Sequence, residues 1–210
     1  MARERILIAD GDADTAQIAE YEHDRRELIR RGLGLGGAVV AAASSIPLLL
    51  SVRNAFAASS GDVEILQSAI TLEGIAVLAY GVAINSGLLS GDFTKVARRF
   101  RDHEQEHADA LTTALTDLGG TPPAKPEIKD IDGVVKGIGT LKSQGDVANF
   151  AIELEMAAVA AYYEAHRKLT DAKLLQAGAS IMANEAQHLV VLRQTVKRAA
   201  VPNAFETGEQ

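Results

Sequence analysis

The residues best suited to chemistry occur as two copies of one spacing, Glu104-Gln105-Glu106-His107 and Glu185-Ala186-Gln187-His188, each reading Glu-x-x-His. Each copy follows a lone carboxylate and a tyrosine. Residues 69–73, AITLE, end in Glu73 with Tyr80 seven positions on; residues 151–155, AIELE, end in Glu155 with Tyr162 seven positions on. Glu73 to Glu104 is 31 residues and Glu155 to Glu185 is 30, which sets an internal repeat of 81 to 82 residues. Residues three apart on a helix share a face, so a Glu and a His at this spacing can aim at one point. Two helices giving one Glu each and two giving Glu-x-x-His would surround a bundle axis with four carboxylates and two imidazoles. That donor set is the one used for a pair of iron or manganese ions. A single Glu-x-x-His would carry little weight, but the matched duplication carries a good deal.

Four helices must position these residues. The first is expected from caps at Ser59, Ser60 or Asp62 to about Leu89, with Leu66, Ile70, Glu73, Val77, Tyr80 and Ile84 on its inward stripe. Asp92 is expected to cap the second, which runs to about Leu118 and stops at Gly119-Gly120. Its stripe holds Phe100, Glu104, His107 and Leu111, which leaves His103, Glu106 and Asp109 to a solvated face. His103 and His107 also form an i,i+4 pair able to bind zinc, although the second half has no counterpart. The third helix is expected from about Asp146 to Leu169 with Glu155 and Tyr162 inward, Glu153 and Glu164 turned away, and His166 about 16 Å from Glu155 along the axis. The fourth runs from about Asp171 to Arg198 with Ile181, Glu185, His188 and Leu192 inward. Between the second and third helices, TPPAKPEI and IDGVVKGIGTL allow only a short helix. A connection of roughly 25 residues is too long for a hairpin and suits a crossover along the bundle, packed through Ile131, Val134, Val135 and Ile138.

These motifs resemble those of the ferritin-like superfamily, and more narrowly of exported bacterial ferritin-like domain proteins that include desiccation-related members. The resemblance spans roughly residues 61–198. It implies an all-α fold, a ferritin-like four-helix bundle with one long crossover between helices 2 and 3. Carried over position by position, it implies Glu73, Glu104, His107, Glu155, Glu185 and His188 as ligands of two iron or manganese ions per chain. The symmetric set is more similar to that of bacterioferritin and rubrerythrin than to the asymmetric site of animal ferritin. The resemblance also implies ferroxidase activity or peroxide removal, with ferrous iron and oxygen or peroxide as partners. Tyr80 and Tyr162 either fill the core or support a ligand and relay electrons. The competing reading is a structural or desiccation-protective bundle of the cell envelope, in which the acids and imidazoles form a hydrogen-bonded core. A mineral-storing cage is a third option, which no helix beyond residue 198 favours.

Composition bounds the rest. A net charge of -7 and a pI near 5.3, with no basic stripe, argue against a nucleic-acid partner. The absence of Cys excludes thiolate metal sites and thiol nucleophiles, while oxygen and nitrogen ligands suit iron or manganese, with zinc and copper as competitors. Residues 25–31, RRELIRR, precede an uncharged run from Gly32 to Val52 and then Ala55-Phe56-Ala57, which together resemble a twin-arginine export signal. Asp24 stands where Ser or Thr is more frequent. The expected organisation is therefore residues 1–57 as tail and signal peptide, 58–201 as bundle and 202–210 as a flexible tail. The twin-arginine translocase would be a partner during export, to a periplasmic, cell-wall or extracellular location. A retained leader would instead anchor the chain to the membrane. Homo-oligomerisation is left open.

Overall fold

The computed structural model describes residues 61–208, and the expected leader lies outside them. Helix α1 spans Asp62–Asn85, α2 Gly91–Asp117, α3 Asp132–Thr140, α4 Gln144–His166 and α5 Ala172–Thr195. A short 3-10 turn, Ile128–Ile131, leads into α3. Among the described residues there is no strand. Helix α1 packs along α2 and α4 along α5, and the two hairpins close on each other. The crossover packs on the outer side of α1, with Ile131, Val134 and Ile138 buried and Val135 partly so. It passes close: a Cβ on Gly74, beside Glu73, would lie 2.8 Å from Pro126 Cδ, so only glycine admits the proline there.

The helix starts differ from expectation in two places. The cap of α2 is Ser90, whose side chain accepts from Phe93 N, while Asp92 already lies inside the helix. Asp62 is the first residue of α1, not its cap; its carboxylate instead accepts from Thr170 N, Thr170 Oγ1 and Asp171 N, tying the start of α1 to the α4–α5 connection. Both Ser90 and Gly61 have extended backbone, the geometry a cap requires, and so local sequence offered several oxygens of which backbone direction selected one. Helix α4 begins slightly earlier than expected, at a Ser143 cap, and α5 begins where expected, with Asp171 as its cap.

The core is two apolar clusters. One gathers Ile75, Ala79, Phe93, Phe100, Val147 and Leu192, the other Leu66, Ile70, Leu111, Leu115, Ala161 and Leu174. On α1, α2 and α5 the buried Glu or Glu-x-x-His falls between the residues of one cluster and those of the other, whereas on α4 the first cluster continues past Glu155 to Met156 and Val159. By length and composition α1 could cross a membrane; here it carries buried Glu73 and is packed against three other helices. After α5, Arg193 is buried and bonds Glu206 at 2.8 Å, which fastens the C-terminal stretch to the bundle.

The two hairpins end their second helices in the same way with different residues. At α2, Gly119 N bonds Thr116 O and Gly120 N bonds Leu115 O, with Gly119 at φ 75°. At α5, Lys197 N bonds Gln194 O and Arg198 N bonds Arg193 O, with Lys197 at φ 58°. Both are left-handed stops that close off helix carbonyls, a place where a Cβ costs about 1 kcal/mol or more. Gly119→Ala should therefore lower stability by about 1 kcal/mol, and Lys197→Gly should raise it by about 0.5–1 kcal/mol. Urea unfolding midpoints at constant slope would show the opposite signs.

Candidate metal centre

Each of the four long helices delivers its acid to the same buried point. Glu73 comes from α1, Glu104 and His107 from α2, Glu155 from α4, and Glu185 and His188 from α5. The four carboxylates and His188 are essentially sealed from solvent, whereas the His107 side chain keeps 13% of its exposure. The six side chains divide into two overlapping groups. In one, donor atoms of Glu73, Glu104, His107 and Glu185 lie within 4.8 Å of one another; in the other, those of Glu104, Glu155, Glu185 and His188 do.

Glu104 and Glu185 belong to both groups because each divides its two oxygens between them. Glu104 Oε2 is 3.5 Å from His107 Nδ1 while its Oε1 is 3.3 Å from His188 Nδ1. Glu185 Oε1 is 3.0 Å from His107 Nδ1 and its Oε2 is 3.2 Å from His188 Nδ1. Glu73 and Glu155 are terminal, with an oxygen 3.6 Å from His107 Nδ1 and 3.4 Å from His188 Nδ1 respectively. Two shared and two terminal carboxylates, with one imidazole on each side, make a pseudo-two-fold cage.

The tyrosines cross the cage. Tyr80 on α1 donates to Glu155 on α4, and Tyr162 on α4 donates to Glu73 on α1. With 80 opposite 155 and 73 opposite 162, α1 and α4 must run antiparallel. Since α2 turns straight back from α1, α4 then runs parallel to α2, which only a connection as long as the bundle permits. Burial, reinforced by the neighbouring carboxylates, pushes both phenols well above their ordinary value, so they remain donors.

The electrostatics of the protein alone are unbalanced. Burial pushes Glu73 well above the ordinary carboxylate value, with His107 opposing and Glu104 and Glu185 adding to it. Burial and then Glu185 raise Glu155 to about 8 against the pull of His188. For Glu185, burial and Glu104 act upward, but His107, His188 and Glu155 prevail and lower it. Burial would lower both imidazoles, yet Glu104, Glu185 and Glu73 push His107 up to about 12, and Glu104, Glu155 and Glu185 do the same to His188. Glu104 Oε1, both Glu185 oxygens and both histidine Nδ1 atoms nevertheless lack a hydrogen-bond partner. A buried polar atom left unsatisfied costs about 1–3 kcal/mol, and here five of them point at one another. Two divalent cations would neutralise the four carboxylates and engage each of those atoms, so the residues present fit a dinuclear metal group.

The remaining sequence candidates separate. Glu106 and Asp109 are exposed as expected, and Glu164 pairs with Arg167 on the surface. His166 lies away from the cage, its ring nitrogens 2.6 Å from Tyr162 O and 3.2 Å from Leu175 O. His103 is not on a solvated face, nor does it join His107 in a ligand group. It is half-buried, and its Nδ1 lies 3.0 Å from His188 Nε2. One residue before Glu104, it sits at the edge of the inward stripe, where a long imidazole reaches the neighbouring helix. Phe100, noted in the sequence only as an apolar stripe residue, stacks on His188 with ring centroids 3.9 Å apart. The histidine at an unusual place in the first repeat was the available signal for this contact.

A family model for the ferritin-like domain matches residues 61–198. The chain belongs to the ferritin-like family. This ferritin-like chain is also similar in fold to the crystal structure of a conserved hypothetical protein from Mycobacterium tuberculosis, with a TM-score of 0.53 at 16% identity over 75% of this chain and 99% of that one. At that identity the likeness concerns the fold alone. No curated protein sequence matches.

The shifted groups set a pH dependence. Glu155 and both histidines have folded values above their unfolded ones, so the folded metal-free protein binds extra protons and its stability falls as pH rises through the window from about 4.5 to about 8 for Glu155, and beyond 6.5 for the histidines. Glu185, lowered below its ordinary value, acts only at more acid pH. The melting temperature of metal-free protein should thus fall between pH 5 and pH 8. Since a metal replaces those protons, loading should release protons and flatten the decline, which calorimetry and a pH-indicator titration would register.

Proposed function

We propose that this ferritin-like protein binds a dinuclear iron or manganese centre and oxidises ferrous iron, removes peroxide, or both. The observation that carries the reading is the division of the Glu104 and Glu185 oxygens between two donor groups, each completed by its own imidazole and terminal carboxylate. Two redox-active ions held there would supply one electron each for reduction of oxygen or peroxide.

The protein's own residues then have distinct tasks. Glu104 and Glu185 would each offer one oxygen to either donor group. Glu73, His107, Glu155 and His188 would be terminal donors. Tyr80 would hold Glu155 through Oε1, the oxygen that also faces His188, Tyr162 would hold the Glu73 oxygen turned away from His107, and both, as buried phenols, stand where an electron could be relayed. Closely packed apolar residues on both sides of the cage would exclude bulk water from it. We place this activity in the cell envelope, because a twin-arginine signal exports proteins already folded around their cofactor.

The test is metal content followed by turnover. The protein reconstituted anaerobically with ferrous iron should hold about two ions per chain, and should oxidise further ferrous iron or consume peroxide faster than the ions in buffer. Glu104→Ala should remove a carboxylate common to both donor groups and reduce both metal content and rate by about 10-fold or more. Metal content well below one ion per chain after reconstitution would overturn the proposal in favour of a structural bundle.

A further inference from the structure

The repeat makes the two halves of the cage equivalent in ligands but not in what stands behind them. Glu104 matches Glu185 and His107 matches His188 at an offset of 81 residues. At the same offset His103 matches Asn184 and Phe100 matches Ile181. The second copy therefore lacks both aromatic rings that contact His188. With His188 Nδ1 directed at three carboxylates, a metal-binding imidazole carries its hydrogen on Nε2, and His103 Nδ1 at 3.0 Å accepts it. The two imidazole planes are 14° apart, and Phe100 covers the His188 ring at 22°. One bond and one stacked face thus fix the His188 ring before any ligand arrives. Among the described residues, His107 has no such stacking ring and no bonded partner at Nε2, and it retains an exposed edge.

Resting on the dinuclear reading above, we propose that the centre is asymmetric in use. His103 is a positioning residue that makes the Glu104, Glu155, Glu185, His188 position the tight one, filled first. The Glu73, Glu104, Glu185, His107 position is filled second and exchanges with solvent. Each terminal carboxylate is held by a tyrosine, through the oxygen that also faces His188 in Glu155 and through the opposite oxygen in Glu73. The difference assigned here comes from the imidazole environments. A hydrogen bond to the non-coordinating nitrogen raises ligand basicity and fixes orientation, an effect on metal affinity of about 10–100-fold. The partly exposed edge of His107 gives the second ion its way in and out.

Stepwise titration of the full chain with manganese(II), followed by electron paramagnetic resonance, tests this without any turnover. The expected result is a first ion bound about 10-fold or more tighter than the second, with an uncoupled spectrum before the second ion and a coupled one after it. His103→Leu should weaken the first step by about 10–100-fold and leave the second nearly unchanged, so that the two affinities converge. His103→Gln, whose amide oxygen can accept from Nε2, should restore most of the difference while circular dichroism shows the same helix content in both variants. Two indistinguishable affinities in the unaltered protein would overturn the asymmetry while leaving the dinuclear centre in place. So would an equal loss in both steps for His103→Leu, or failure of Gln to rescue. Failure to bind manganese or iron at all would remove the dinuclear reading itself.

Discussion

Four carboxylates buried at one level of a helical bundle are the interaction on which the rest of this structure depends. Taking even one carboxylate out of water costs several kcal/mol unless a partner answers it, and here the acids of all four long helices meet. The protein supplies two imidazoles and two phenols, and each falls short. The imidazoles sit at 3.0–3.6 Å from several oxygens at once, and the phenols reach only the terminal pair. Protons taken up by His107, His188 and Glu155 make up the balance in the protein alone. The cage is therefore suited to cations, and closely packed apolar surface on either side of it offsets its cost in folding.

That cost also dictates topology. The crossed bonds of Tyr80 to Glu155 and Tyr162 to Glu73 require α1 and α4 to run antiparallel, and each helix then fixes the acid of the other. An up-and-down bundle with short connections would place α4 parallel to α1 and leave both bonds unmade. The crossover from residue 118 to 143, with its small helix α3, is the consequence, and its close pass over Gly74 seats it against the helix that carries Glu73. Asp62, by bonding the α4–α5 connection, adds a further tie between the two hairpins.

A duplicated unit begins symmetric and need not stay so. In this chain the Glu and His residues of the two Glu-x-x-His motifs have the same types while the neighbouring residues differ, His103 and Phe100 on one side and Asn184 and Ile181 on the other. Two equivalent cation positions would have equal intrinsic affinities, whereas inequivalent ones would let one ion stay while the other exchanges.

The bundle and its cage residues were legible because a helix repeats every 3.6 residues, so that spacing alone places Glu104 with His107 and Glu185 with His188 on one face, and the repeat supplies Glu73 and Glu155 by analogy. The Schellman stop at Gly119 was legible for the same local reason, since a left-handed residue favours glycine. What sequence could not give were contacts set by which helix lies beside which, at what height and rotation. Nothing local distinguishes the Tyr80 hydroxyl as a partner of Glu155, or moves Asp62 from capping its own helix to bonding Thr170, or turns His103 from solvent to His188. Periodicity fixes the direction of a side chain from its own axis. Only packing decides what stands at the other end, and in this protein that difference separates the identity of the cage from its asymmetry.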